Sequence, residues 1–228
     1  DGNSFILDKN GSKIKQLKSF AEDLSSWDSK QTKPQKNKFE RSEMSSIFDA
    51  LVLGVKDLIS REAKFGHILD LVGTPKLRKR IQGFPAILKI IISQQLSVSA
   101  ANSIWKRLID NELTSPAAIL QKDPIYLRDL GLSRSKITYV KCLAKAGINF
   151  RELAKLPDTD VLEELVKIKG VGPWTAQIYA MFSLRRRDIF APGDLALQEA
   201  VKLLFQHRAR PSEKDLYQIS LPWSPNRT

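Results

Sequence analysis

A chain of 228 residues can bury one full core but not several, so one compact body or two interlocked lobes is expected. Its 37 Lys and Arg against 25 Asp and Glu leave a net charge of +12, which favours a polyanion, nucleic acid first, over a neutral partner. The single cysteine, Cys142, excludes an internal disulfide, a four-thiolate zinc site and an iron–sulfur cluster. His67 and His207 are too far apart in sequence to point to zinc, and no run approaches the roughly 18 apolar residues of a membrane span.

In chain order, residues 1–45 are expected to form a flexible basic tail. The start, Asp1 to Ser4, lacks the charged-then-apolar pattern of a secretory signal, so an intracellular protein is expected. Over 28–45, Lys30, Lys33, Lys36, Lys38 and Arg41 stand among Gln, Asn and Pro, with too few apolar groups to offset the entropy of ordering. Ile14, Leu17 and Phe20 could make one short amphipathic turn. No strand is expected there or elsewhere.

From Ser46 the apolar residues Ile47, Leu51, Val55, Leu58 and Ile59 fall three and four apart, the helical period, and the spacing recurs to the end. It predicts helices near 46–60, 62–72, 84–95, 97–110, 123–130, 134–146, 158–167, 173–184, 194–207 and 212–219. Gly73, Gly83, Gly131, Pro157, Gly170, Gly172 and Pro192 separate most of them. The class is all-α.

The informative segment is Leu165-Val-Lys-Ile-Lys-Gly-Val-Gly-Pro-Trp-Thr-Ala-Gln-Ile-Tyr179. A helix runs into Gly170, Val171 and Gly172, and Pro173 then takes the first turn of a new helix, where its missing N–H costs nothing. The result is a tight helix-hairpin-helix. Its glycines let the backbone approach a ligand closely, and the new helix offers unpaired N–H groups and a positive dipole to a phosphate, beside Lys167 and Lys169. Gly-x-Gly alone is equally the mark of a plain helix connection. Twenty residues after Trp174, however, Phe190-Ala-Pro-Gly-Asp194 brings a carboxylate to a helix start. Asp194 is there an N-cap, a functional carboxylate, or both.

Together these segments resemble the helix-hairpin-helix DNA glycosylase superfamily, and within it the 3-methyladenine type that removes alkylated purines. The segments that carry the resemblance are Ile91-Ile-Ser-Gln-Gln-Leu-Ser97, Leu127-Arg-Asp-Leu-Gly-Leu-Ser-Arg-Ser-Lys136, Lys169-Gly-Val-Gly-Pro-Trp-Thr-Ala176 and Phe190 to Ala200, and it extends from about Phe84 onward.

The resemblance implies a catalytic role for Asp194. Cleaving an N-glycosidic bond builds positive charge on the sugar, which a carboxylate stabilises while it orients water. Trp174 stands where the family's lyases carry a lysine nucleophile, so no Schiff-base step is expected. Its indole is either a wall of the pocket for a flipped, electron-poor purine or a core residue. Tyr179 is left to the core. Ser93, Gln94, Gln95 and Leu96 match the family segment that enters the minor groove, with Gln95 the plug that fills the gap of the extruded nucleotide; the alternative is a solvated, capped loop.

Gly170, Val171, Gly172, Lys169 and Thr175 would form the phosphate-binding hairpin. Ser133, Arg134 and Lys136 would touch other phosphates or stand on a solvated face. The backbone carbonyls of Val166, Ile168 and Val171 match a site for Na+ or K+, and no other cofactor is expected. The C-terminal stretch Trp223-Ser-Pro-Asn-Arg-Thr228 departs from the pattern, with Asn226 where the family has an aromatic residue before the Arg and a final helix after it: either the sequence is truncated there or the pocket is less closed, and a poorly shielded carboxylate stabilises charge less well.

The fold expected from the resemblance has two helical lobes with the active cleft between them, one over 83–192 with the hairpin at 165–179, the other from 46–82 with 193–228. The function expected is hydrolysis of the N-glycosidic bond of alkylated purines in double-stranded DNA by base flipping, without a lyase step. The protein would act as a monomer, off the membrane, and in the nucleus if the cell is eukaryotic. The rival is a non-catalytic homologue that binds abasic or damaged DNA through the same hairpin and plug.

Overall fold

The computed structural model describes residues 5–7, 13–16, 43–75 and 81–228 and divides into two units, Asp1–Asp49 and Ala50–Thr228. The first holds β1 (Phe5–Leu7) and β2 (Lys13–Gln16), an antiparallel pair in which Phe5 faces Gln16, Ile6 faces Lys15 and Leu7 faces Lys13. This corrects the expectation of a strand-free tail. The sequence signal was Asn10-Gly11, a turn dipeptide between two short runs that each carry isoleucine. Ile14 therefore belongs to a strand and not to a helical turn, at the point where the register slips. The rest of the expected tail, Leu17, Phe20 and the basic polar stretch up to residue 42 included, lies outside the described residues.

Every described element after β2 is helical: α1 (Glu43–Arg61), α2 (Lys64–Val72), α3 (Phe84–Ser93), α4 (Val98–Asp110), α5 (Pro116–Gln121), α6 (Pro124–Asp129), α7 (Arg134–Lys145), α8 (Phe150–Leu153), α9 (Asp158–Val166), α10 (Pro173–Phe182), α11 (Leu195–Phe205), α12 (Glu213–Ser220) and a closing 3-10 turn, Leu221–Trp223. The all-α class holds for this body. Ser97, Ser133 and Ser212 start α4, α7 and α12, each hydroxyl accepting the N–H three residues on, which satisfies a donor the helix leaves free. Two helices, α5 and α8, were not expected, being too short to show a period. Their caps were nevertheless written in the sequence: Ser115 before Pro116, and Asn149, whose side-chain oxygen accepts the N–H groups of Arg151 and Glu152. None of the described helices is long and apolar enough to cross a membrane.

The main core is built around α3, whose Phe84, Ala86, Ile87, Leu88, Ile90, Ile91 and Ile92 are all buried. A helix apolar on every side must be enclosed, and α4, α7 and α10 enclose it. A second, smaller cluster gathers Phe190, Val201, Leu216 and Trp223 with Leu58 of α1 and Phe65 of α2. The Trp223 ring meets Phe65 edge-on at 5.1 Å and Phe190 at 5.9 Å, and stacks on Phe205 at 6.1 Å, arrangements that add to the burial of each ring. The segment entering the Asp194 loop alternates between the two clusters, with Ile189 and Ala191 in the main core and Phe190 in this aromatic one.

Candidate active site and nucleic-acid interface

The hairpin is a backbone device. α9 ends at Val166, Ile168 and Val171 close the turn through the Val171 N–H to the Ile168 carbonyl at 2.9 Å, and α10 begins at Pro173. Its two glycines differ. Gly170 has φ +96°, and a Cβ there would stand 2.2 Å from the Tyr139 ring, so packing against α7 demands glycine. Gly172 has an ordinary φ and nothing within 4 Å of a Cβ, so its bareness serves no internal contact.

Around the turn, Val171 and Thr175 turn their side chains inward, and both are buried. Lys167 is held by Glu164 at 2.5 Å, and that hydrogen bond, with the glutamate's charge, raises its pKa. Lys169 is exposed and has no ion-pair partner among the described residues. The groove of about 480 Å³ between α9 and α10 is lined by Leu162, Glu163, Val166, Lys167, Pro173 and Gln177 and does not include Asp194.

The segment Ser93 to Leu96 divides in two. The Ser93 hydroxyl turns back to the Lys89 carbonyl at 2.8 Å, and the Gln94 amide nitrogen donates to the Gly170 carbonyl at 3.1 Å and to the Thr175 hydroxyl at 3.0 Å. Gln95 and Leu96 remain exposed. Gln95 sits at φ +56°, a left-handed conformation that a non-glycine residue adopts at a cost. Four residues were expected in the groove; the structure leaves two side chains free to enter one.

Of the cations on α7, Arg134 is exposed, and Ser133 is the helix cap, its hydroxyl also 3.1 Å from that of Ser135. Lys136 corrects the expectation of a phosphate contact. It is buried and donates to the Ile92 carbonyl in the last turn of α3. Burial lowers its pKa, and a lysine turned into the protein is not displayed to a phosphate.

Asp194 is both a cap and more than a cap. It precedes α11, and its Oδ1 accepts the N–H groups of Ala196 at 2.9 Å and Leu197 at 3.1 Å. Its Oδ2 accepts the indole N–H of Trp174 from the first turn of α10 at 3.0 Å. One oxygen is thus fixed by backbone and the other by a side chain of the hairpin helix, while the group stays half-buried and Leu195 beside it is 64% exposed. Trp174 is half-buried against the main core, so wall and core were not exclusive alternatives. Sequence reasoning missed its bond to Asp194; a tryptophan in a helix's first turn and a capping aspartate twenty residues on were the only signals.

The loop is strapped from behind. The Arg227 guanidinium meets the Asp188 carboxylate through two bonds, at 2.8 and 2.9 Å, and the Ser224 hydroxyl donates to the same carboxylate at 2.7 Å. Burial pushes the Asp188 carboxyl up, but these hydrogen bonds, the Arg227 backbone N–H and the guanidinium charge outweigh it and hold its pKa below the usual carboxylate range. Asn226 is buried between α1 and this strap, donating to Asp57 and accepting from Arg187, and a Cβ on Gly54 would stand 3.2 Å from it. It is a structural link between α1 and the Arg187 side chain. Tyr179 is fully buried and its hydroxyl accepts the Gly83 N–H, as a core residue should.

A family model described as HhH-GPD superfamily base excision DNA repair protein matches residues 88–225. An alkylbase DNA glycosidase-like protein, mag2 of Schizosaccharomyces pombe, is 30% identical over 76% of this chain and 87% of its own length. The structure of the Schizosaccharomyces pombe 3-methyladenine DNA glycosylase Mag1 in complex with abasic DNA superposes with a TM-score of 0.69 at 27% identity, over 76% of this chain and 90% of that one. A DNA-3-methyladenine glycosidase of Bacillus halodurans gives 0.67 at 30% identity, over 77% and 84%.

Proposed function

Because the chain belongs to the HhH-GPD superfamily of base excision DNA repair proteins, we propose that it is a monofunctional DNA glycosylase of the 3-methyladenine type, which flips an alkylated purine out of duplex DNA and hydrolyses its N-glycosidic bond. The observation that carries this reading is the Asp194 carboxylate, oriented by three hydrogen bonds from two different helices and still half-exposed. A group held in advance stabilises the developing sugar cation without reorganising as the bond breaks, and the free lone pair of Oδ2 can orient the attacking water. Trp174, with no lysine at its position, supports hydrolysis without a lyase step.

In this reading the Gly172 backbone and Lys169 take a phosphate of the lesion strand, Arg134 and Ser133 another, and Gln95 with Leu96 fills the gap left by the extruded nucleotide. The active cleft lies between a lobe on the main core and one on the Trp223 cluster. The carbonyls of Val166, Ile168 and Val171 are hard donors that suit Na+ or K+; the Ile168 oxygen accepts one N–H and keeps a lone pair. Such an ion would add positive charge beside the phosphate. The protein acts as a monomer inside the cell, in the nucleus where there is one.

Incubation with methylated duplex DNA should release free 3-methyladenine and leave abasic sites in unbroken strands. Tight binding to abasic DNA with no base released would instead identify a recognition protein without catalysis.

A further inference from the structure

We propose that Gln94 is a positioning residue that locks the exposed Gln95 loop to the hairpin, so that holding a phosphate and filling the gap in the duplex are mechanically one event. The proposal rests on the reading of the chain as a binder of damaged DNA. It does not follow from the hairpin or the plug separately, since it concerns the side chain between them.

The Gln94 nitrogen stands 3.1 Å from the Gly170 carbonyl and 3.0 Å from the Thr175 hydroxyl, and its two hydrogens suffice for both. The orientation of the amide is fixed by chemistry, because the Gly170 carbonyl can only accept and must face the nitrogen. Both partners are themselves immobile. Gly170 is pressed on the Tyr139 ring, and Thr175 is 2% exposed in the first turn of α10. On the other side, Lys136 grips the Ile92 carbonyl two residues before Gln94.

The end of α3 is therefore tied to α7 and to the hairpin before Gln95 adopts its left-handed conformation at φ +56°. Polar contacts sheltered in this way specify one arrangement among several that packing alone would permit, the Gln94 bonds being part-buried and that of Lys136 buried. Here the arrangement specified is the reach of Gln95 relative to Gly172. Without the tie, the hairpin could still hold a phosphate, but the plug would no longer be set at a fixed distance from it.

The test uses Gln94→Met, which keeps length and removes both donors, with Thr175→Val as a second variant that removes one acceptor at nearly constant shape. Affinity is measured for a duplex carrying a tetrahydrofuran abasic analogue and for the same duplex undamaged. The preference for the abasic duplex should fall by no more than removal of the plug itself costs, about fivefold, in Gln94→Met, the worth of a hydrogen-bonded link, and less in Thr175→Val. Gln95→Ala should then change the preference little in the Gln94→Met background, although it lowers it in the parent chain. Equal loss on both duplexes, an unchanged preference, or full additivity of Gln94→Met with Gln95→Ala overturns the proposal. If the parent chain itself shows no preference, the reading as a damage binder fails, and the tie is tested by amide hydrogen exchange. The Gln95 and Leu96 amides should exchange faster in Gln94→Met, and unchanged rates would dismiss it.

Discussion

The hairpin from Lys169 to Trp174 and the loop from Phe190 to Leu197 both bring a helix N-terminus to the surface, but they use it in opposite ways. In the hairpin the backbone is left bare: Gly172 meets nothing within 4 Å of a Cβ. In the loop the helix start is already occupied by the protein's own carboxylate, Asp194, which takes two of the N–H groups. A bare helix start attracts an anion, and a filled one presents an anion to a cation. The hairpin should therefore be damaged by adding atoms, and the loop by removing charge.

Asp194→Asn is the sharpest way to separate them. Loss of the charge should slow excision about a hundredfold to a thousandfold while DNA affinity stays within a few-fold, because the carboxylate acts on charge that exists only in the transition state. Single-turnover excision assays beside equilibrium binding would show it.

The two glycines come next. Gly170→Ala forces a Cβ into the Tyr139 ring at a φ that side chains avoid, and should cost on the order of 3 kcal/mol, lowering the melting temperature by about 10 °C. Gly172→Gln should leave the melting temperature nearly unchanged and weaken binding to damaged and undamaged duplex alike, by about tenfold. If Gly172→Gln unfolds the chain, or spares DNA binding, the division of labour between the glycines is wrong.

Trp174→Phe keeps a ring and removes the bond to Asp194, a hydrogen bond that joins the two regions directly. A hydrogen bond to a charged group is worth about 1.5–3 kcal/mol, so the excision rate should fall at least about tenfold with little change in affinity. A rate equal to that of the parent chain would make the indole a wall and nothing else. The smallest effect belongs to Gln95→Ala. It should reduce the preference for abasic over undamaged duplex by about fivefold, with an unchanged salt slope, since no phosphate contact is lost.

Much of the fold was legible because it is helical. The stripes of α1, α4, α7 and α11 repeat every three to four residues, and serines mark where several helices begin. The hairpin was equally legible, being written in glycine and proline. What escaped was of two kinds. The elements α5, α8, β1 and β2 are too short for periodicity, and only their caps or the Asn10-Gly11 dipeptide announce them. The roles of Gln94, Lys136 and Asn226 depend on partners between 39 and 169 residues away, which no local pattern encodes. A polar residue near a surface motif reads as a ligand contact in one dimension and proves to be a tie in three.

The central claim is that the hairpin binds and the Asp194 loop reacts, and single-turnover excision from methylated duplex at increasing protein concentration tests it most directly. At saturating protein, Gly172→Gln should recover a rate close to that of the parent chain, because only its binding is impaired. Asp194→Asn should stay slow at every concentration. Recovery of Asp194→Asn at high concentration, or a Gly172→Gln rate that stays low once all the DNA is bound, would contradict the account.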